Sequence, residues 1–268
     1  MVSRQEEERL KEEFRSKLLE QIELLNSVVS TPGGDWVVKG FIDIAKNIYT
    51  ISIDTKVVSK IMELLLFPKI CEFAQKSSFK MVLSKEQNFY PDVTFVDKKS
   101  RKFALDLKST YRKSAKEVNG MTLGAFTGYF RNRSSTKNIT FPYEDYVGHF
   151  VLGIIYSRVE GAADERKVYK LEDLQKITSV VKDFRFFVQE KYKIAQSRPG
   201  SGNTKNIGSV TKINELIQGE GPFSALGEDV FDDYWMYYLT ADMARAVDLK
   251  NAPYKNLEGY LQYKKLTR

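Results

Sequence analysis

Two carboxylates and a lysine share one predicted hairpin. The segments Tyr90-Pro91-Asp92-Val93-Thr94-Phe95-Val96 and Lys102-Phe103-Ala104-Leu105-Asp106-Leu107-Lys108 alternate in polarity on either side of the polar stretch Asp97 to Arg101. That pattern predicts two antiparallel strands joined by a turn. Centred on Lys99, the hairpin sets Asp92 opposite Asp106, Val93 opposite Leu105 and Phe95 opposite Phe103. The apolar pairs share one face, and the two aspartates share the other, with Cβ atoms roughly 5 Å apart. Lys108 lies two residues beyond Asp106 and points the same way. Carboxylates held that close repel unless a proton or a cation joins them. Oxygen donors select a hard cation, Mg2+ foremost, which keeps waters and takes phosphate oxygens as further ligands. Such a metal lowers the pKa of a bound water and steadies a leaving 3′ oxygen, while a lysine beside it orients the water or neutralises charge on phosphorus. That is the chemistry of phosphodiester hydrolysis.

The acid-x-Lys spacing is weak by itself. It recurs at Asp54-Lys56, Asp97-Lys99, Glu165-Lys167 and Asp248-Lys250. Only Asp106-Lys108 lies in an apolar strand and follows the one Pro-Asp of the chain. A surface hairpin with a salt bridge from Lys108 to Asp106 remains the alternative at this point. Composition narrows the field from another side. The 268 residues contain one Cys and one His. A Cys/His zinc cluster, which needs about four ligands, is excluded. An internal disulfide is impossible, which fits a reducing compartment. A Ser-His-Asp or Cys-His mechanism would rest on His149 alone. Any hydrolysis therefore falls to carboxylates, lysines and hard metals.

Charge is uneven along the chain. Of the formal +7, residues 1–30 contribute −2 and the remainder +9. Lys98, Lys99, Arg101, Lys102, Lys108, Arg112, Lys113 and Lys116 form one run, and Lys191, Lys193, Arg198, Lys205 and Lys212 gather around a glycine-rich stretch. Each cluster alone is compatible with solvated surface. Together, beside candidate site residues, they favour a polyanion, nucleic acid ahead of membrane. No apolar run approaches the roughly 20 residues of a membrane span, and the charged segment Met1 to Phe14 lacks the apolar core of a signal peptide.

The elements that must position these residues are legible in outline. Ser3 with Glu6 forms a capping box, and Leu10, Phe14, Leu18, Ile22, Leu25 and Val29 make one apolar face, which predicts a helix over residues 3–29. Val37 to Ile53 is strand-like, with a turn at Asn47. Asp54 or Thr55 caps a second helix carrying Val57, Ile61, Leu64 and Leu65, with Pro68 near its middle or end. Strands are expected at residues 79–83, 92–96, 102–109, 149–159 and 184–190, and a helix over 228–247. This order lacks a regular βαβ rhythm and predicts an α/β chain: one mixed β-sheet flanked by helices, in a single domain over 1–268.

The Pro91-Asp92 … Asp106-Leu107-Lys108 arrangement resembles the motif of the PD-(D/E)XK nucleases, and its surroundings resemble the type II restriction endonucleases among them. The similar segments include Asp54-Thr55-Lys56-Val57 leading to Glu63-Leu64, Gln87-Asn88-Phe89-Tyr90-Pro91-Asp92, Asp106-Leu107-Lys108-Ser109-Thr110-Tyr111, Thr122-Leu123-Gly124, Thr136-Lys137-Asn138-Ile139 and Tyr156-Ser157-Arg158-Val159. The most specific is Gly200-Ser201-Gly202-Asn203-Thr204-Lys205-Asn206-Ile207-Gly208-Ser209, which otherwise would be a flexible linker. The resemblance runs from about Val37 to Tyr238 and weakens from Met236 onward. It implies a restriction-endonuclease-like fold, a homodimer around duplex DNA, and Mg2+-dependent cleavage of both strands at a short palindrome, GATATC cut bluntly. By the same resemblance, Asp92 and Asp106 are metal ligands, Lys108 is the catalytic lysine, and Glu63 is a further acidic residue of the site. Gly200, Ser201, Gly202, Asn203, Thr204, Lys205 and Asn206 form the base-reading loop, with Asn203 and Thr204 as readers. Gln87 and Asn88 approach the minor groove, and Thr55, Lys56 and Lys137 contact DNA. Residues 37–50 form a dimerisation segment, 54–140 a catalytic core and 196–209 the recognition loop. A cognate DNA methyltransferase and a prokaryotic cytoplasmic setting follow from the same family. Asn suits bidentate contact with adenine, and glycine permits close backbone approach.

Rival readings are a structure-specific repair or junction nuclease of the same fold, or a DNA-binding module without catalysis. Outside the motif, His149 is expected as a satisfied, semi-buried strand histidine, Cys71 as a packing residue, and Tyr234, Trp235, Tyr237 and Tyr238 as a core or interface stripe.

Overall fold

The computed structural model describes residues 3–86, 88–161, 164–200 and 205–266. In chain order its elements are α1 (Arg4–Leu19), α2 (Ile22–Val29), β1 (Gly40–Ile42), β2 (Asn47–Thr50), α3 (Thr55–Lys76), β3 (Lys80–Leu83), β4 (Val93–Val96), β5 (Lys102–Tyr111), β6 (Thr122–Ala125), β7 (Tyr146–Arg158), β8 (Val168–Lys170), β9 (Val181–Glu190), α4 (Lys191–Ile194), β10 (Ala195–Pro199), β11 (Asn206–Ser209), α5 (Ile213–Gln218), α6 (Glu228–Tyr237), α7 (Ala241–Arg245) and α8 (Leu257–Leu266).

A five-stranded sheet in the order β3-β4-β5-β7-β9 forms the centre. All its neighbouring pairs are antiparallel except β5 with β7, so the sheet is mixed, as expected. Alternation along β5 and β7 sends side chains to two cores. Phe103 and Leu105, with Phe150, Leu152 and Ile154, pack beneath α1 and α3. There Phe14 of α1 stacks on Phe103 at 4.7 Å between ring centroids. Ala104, Val151 and Ile155 face the other way, into a core closed by Phe231, Tyr234 and Trp235 of α6. Asp106 belongs by parity to this second face and lies where its apolar packing gives way to a cleft.

Two smaller sheets are attached. One has the order β1-β2-β8 and the other β10-β11-β6. Sequence periodicity did not reveal β6, β8, β10 or β11, because these strands have three to five residues each, too few for an alternation to register.

The expected long N-terminal helix is two helices. Ser3 caps α1 as predicted, its hydroxyl accepting from Glu6 N at 3.2 Å, but the chain breaks at Glu20 and Gln21, and α2 restarts the same apolar stripe. The expected C-terminal helix over 228–247 is likewise divided into α6 and α7, because Thr240 starts a new cap by accepting from Met243 N. In the first hairpin the turn lies ahead of Asn47, whose N–H donates to Asp43 Oδ1 at 2.8 Å, so Asn47 is the first residue of β2. Pro68 sits inside α3, which continues to Lys76. His149 is buried rather than half-exposed. Tyr234, Trp235 and Tyr238 are core residues, while Tyr237 is exposed.

Candidate active site

The register of the catalytic hairpin is the predicted one: Val93 pairs with Leu105, Thr94 with Ala104 and Phe95 with Phe103. Its turn is fixed locally. Asp97 Oδ1 accepts from Lys99 N at 2.8 Å and Arg101 N at 2.9 Å, and Ser100 takes the positive φ of 62° that closes the loop. Asp92 stands just outside the ladder and is anchored to β5 by its carboxylate. Leu107 N donates to Asp92 Oδ2 at 2.8 Å, and Asp92 N donates to Asp106 Oδ1 at 3.3 Å.

Lys108 bridges the pair. Its Nζ lies 3.1 Å from Asp106 Oδ2 and 3.7 Å from Asp92 Oδ2. Burial works against the ammonium, but the charges of Asp106 and Asp92 outweigh it and hold its pKa above the ordinary lysine range. Lys108 is therefore a cation, suited to donate hydrogen bonds and unsuited to accept a proton. Burial pushes Asp92 up to about 6, with the Asp106 charge adding to the effect and Lys108 opposing it. Asp106 is buried at the floor. One lysine against two carboxylates leaves net negative charge on oxygen donors, which a hard cation would compensate.

A cleft of about 1060 Å3 opens above these residues, lined among others by Thr55, Lys56, Glu63, Asn88, Asp92, Asp106, Lys108 and Asn206. Expected site residues from separate parts of the chain thus meet in one concavity. Thr55, Lys56 and Glu63 arrive on α3, whose first turn is capped by Asp54, its Oδ1 accepting from Lys56 N and Val57 N. Glu63 faces the cleft but pairs with Lys60 at 2.7 Å on its own helix. Among the described residues no group of three or more His, Cys, Asp or Glu gathers as a metal cluster, but Glu63 is near enough for its charge to act on Asp92 and Lys108. The Lys137 N–H donates to Ser135 Oγ, and its neighbour Asn138, not Lys137, lines the cleft.

The described ends of the glycine-rich segment lie on or beside two paired strands. β10 and β11 pair antiparallel with Pro199 opposite Ile207, and Gly200 N donates to Asn206 O at 2.8 Å. β11 in turn pairs with β6, Asn206 opposite Ala125, and Lys205 O accepts from Phe126 N. Asn206 at the stem reaches the cleft. Gln87, Ser201, Gly202, Asn203 and Thr204 lie outside the described residues.

The second basic stretch is less available than its composition suggests. Lys193 pairs with Glu190 at 2.6 Å and Lys212 with Glu215 at 2.8 Å, and Lys191 is turned into the core. Sequence reasoning also passed over the residues that hold Asp92 from behind. Tyr90 N donates to Asn138 O at 3.1 Å, and Tyr90 O accepts from Thr140 N at 2.8 Å. The Tyr90 hydroxyl meets His149 Nδ1 at 2.8 Å, and its ring stacks on Tyr129 at 5.3 Å. The adjacency of Tyr90 to Pro91-Asp92 was the available signal; no local pattern marks Tyr129 or His149 as its partners.

Comparisons with known proteins identify the family. A family model described as restriction endonuclease EcoRV matches residues 32–265. The chain belongs to the EcoRV restriction endonuclease family. The type II restriction enzyme EcoRV of Escherichia coli is 37% identical over 224 residues, covering 82% of this chain and 88% of that one. A solved structure, the NlaIV restriction endonuclease, aligns over 91% of this chain and 92% of its own with 11% identity and a TM-score of 0.39. The family match extends past Tyr238, where the sequence resemblance weakened, and takes in α7 and most of α8. It begins after α2. This member of the EcoRV family is a type II site-specific deoxyribonuclease with DNA as its substrate, on an α/β fold. Among the described residues no helix is long and apolar enough to cross a membrane.

Proposed function

We propose that this chain acts as a homodimer in the prokaryotic cytoplasm, cutting both strands of duplex DNA at a short palindrome with Mg2+, and that the palindrome is GATATC cut bluntly. The observation that carries this reading is a single cleft holding Asp92, Asp106 and Lys108 at its floor and Asn206, from the stem of the glycine-rich hairpin, in its wall. That shared cleft supports a reading in which base recognition and bond breaking act on the same stretch of DNA.

Asp92 and Asp106 would hold the metal, and their all-oxygen donor set fits Mg2+; Glu63 is the candidate for a second position. When bound, the ion supplies an acidified water and stabilisation of the leaving 3′ oxygen. Lys108, held as a cation, donates to the attacked phosphate and offsets charge as the water oxygen bonds to phosphorus and the P–O3′ bond breaks. The products are a 3′-hydroxyl and a 5′-phosphate. Asn88, Thr55, Lys56 and Lys137 would contact the duplex, and residues 200–206 would read bases, with Gln87, Ser201, Gly202, Asn203 and Thr204 included by family resemblance.

Within the single domain over 1–268, residues 54–140 serve as the catalytic core and 196–209 as the recognition loop. Residues 37–50 serve as the dimerisation segment. The β1-β2-β8 sheet exposes Phe41, Ile42, Ile44, Tyr49 and Val168, an apolar surface of the kind that a two-fold interface covers. A cognate DNA methyltransferase in the same system would protect host sites. Digestion of a plasmid library with mapping of every end tests activity, site and cut position together. Discrete blunt fragments at one palindrome are expected; ends set by DNA structure rather than sequence would overturn the reading in favour of a repair or junction nuclease.

A further inference from the structure

Lys191 is 2% exposed, and its Nζ has no hydrogen-bond partner among the described residues. The ammonium lies instead against aromatic faces, 4.7 Å from the ring centroid of Tyr90, 5.2 Å from Tyr143 and 5.7 Å from Phe130. A cation over such faces is attracted by the ring quadrupoles, yet an unpaired charge inside a protein is costly and an apolar chain of equal length would pack there without that cost. No hydrogen bond among the described residues uses this charge.

Its position indicates what does. Lys191 opens α4, between the last strand of the central sheet and β10, the strand that enters the recognition hairpin. A Cβ placed on Gly124 of β6 would lie 3.8 Å from Lys191 Nζ and 3.2 Å from the Tyr129 hydroxyl, so the ammonium sits directly behind the strand that pairs with β11. On its other side is Tyr90, which is followed by Pro91 and Asp92. Burial brings its pKa down to about 8, opposed by the charges of Asp106, Asp232 and Glu228, with Lys108 adding to the lowering.

We propose that Lys191 is a positioning residue of the cleavage site: its ammonium holds the Tyr90 ring, and through it the Pro91-Asp92 segment, against α4, the helix that leads into the recognition hairpin. The inference rests on the reading that Asp92 serves the cleavage reaction. Tyr90 is pinned from several sides, by the 138–140 backbone, the Tyr129 ring and His149, and Lys191 is the contact that arrives from α4, which leads directly into β10.

The experiment compares Lys191→Met, Tyr90→Leu, the double variant and Asp92→Asn with the parent in the full-length protein. Readouts are cleavage kinetics with Mg2+, DNA affinity without divalent metal, and the thermal midpoint. Lys191→Met is expected to keep or raise the midpoint and to keep DNA affinity and KM, while kcat falls roughly 10- to 100-fold, as for a slightly misplaced catalytic group. Because Lys191 acts through Tyr90, the double variant should be no slower than the slower single one. An unchanged kcat in Lys191→Met overturns the proposal. So does a lowered midpoint, which would make the lysine a structural residue, and so do additive losses in the double variant. If Asp92→Asn is inactive while Lys191→Met is fully active, the inference alone fails; cleavage by Asp92→Asn removes the reading of the site beneath it.

Discussion

Asp92 and Asp106 are tied together by the backbone that separates them in sequence. The N–H of Asp92 donates to the Asp106 carboxylate at 3.3 Å, and the N–H following Asp106 donates to the Asp92 carboxylate at 2.8 Å. Two like charges are thus held in register by reciprocal hydrogen bonds, and Lys108 closes the group from the side. The arrangement is preorganised and does not wait for DNA to assemble it.

Lys108→Ala should therefore separate binding from chemistry. Affinity for the recognition duplex without divalent metal is expected to persist, because the change removes one cation that is already engaged with carboxylates. Cleavage with Mg2+ should fall at least about a hundredfold, the scale on which loss of one transition-state donor is felt. Gel shift and single-turnover cleavage check the two halves, and full-rate cutting would refute the assignment.

Salt should weaken binding to any duplex, with log K falling linearly in log salt. Lys56 lines the cleft, and Lys137 lies beside it. Replacing either by Ala is expected to lower affinity evenly across sequences and reduce the salt slope by about 1. Titrations at several salt concentrations measure it; a change confined to one sequence would point to base contact instead.

His149 gives a pH-dependent stability term. Burial, with Lys191 and Arg133 nearby, lowers its pKa well below the ordinary histidine value, so it is neutral when folded and gains a proton on unfolding below about 6.5. The unfolded state then binds more protons, and stability falls with falling pH. The contribution is intact above about 6.5 and diminishes by about 1.4 kcal/mol per pH unit below it. His149→Gln removes it. The difference in unfolding free energy between parent and variant should shrink by about 1 kcal/mol from pH 6.5 to 5.5 in urea titrations, and a constant difference would contradict the assignment.

Gly153 is the register partner of Lys108 across β5 and β7. A Cβ there would lie 2.0 Å from the Phe187 ring. Gly153→Ala forces that ring, buried in the core, to move, at an expected cost of about 1–3 kcal/mol. Because the displaced packing lies beside the strand that carries Lys108, cleavage should slow as well. Denaturant unfolding and a cleavage assay on the same sample test both.

Two exposed isoleucines, Ile42 and Ile44 of the β1-β2 hairpin and its turn, test the assembly. Ile42→Asp with Ile44→Asp should leave the fold intact, since neither is buried. Sedimentation velocity should show a monomer in place of a dimer, and double-strand cutting should be lost. A dimer that persists would move the interface elsewhere.

Alternation and spacing were enough to place Asp92 opposite Asp106 and to set the register of their hairpin, because strand geometry is local and its period of two leaves one solution for Val93, Phe95, Phe103 and Leu105. The oxygen-only chemistry followed from a chain with one His and one Cys. What the sequence could not supply was the set of contacts between distant segments. Lys191 counted as part of a basic surface stretch, and only packing shows it beneath Tyr90. Glu63 was placed at the site by family resemblance, and the structure puts it in the same cleft yet paired with Lys60. The division of the terminal helices also escaped, since an apolar stripe continues across a break such as Glu20-Gln21. Sequence by itself determined the reactive groups, their local register and the family to which they belong. Tertiary structure decided which partners surround them, because burial and long-range electrostatics arise only when β5, α3, β6 and the recognition hairpin are brought together around one cleft.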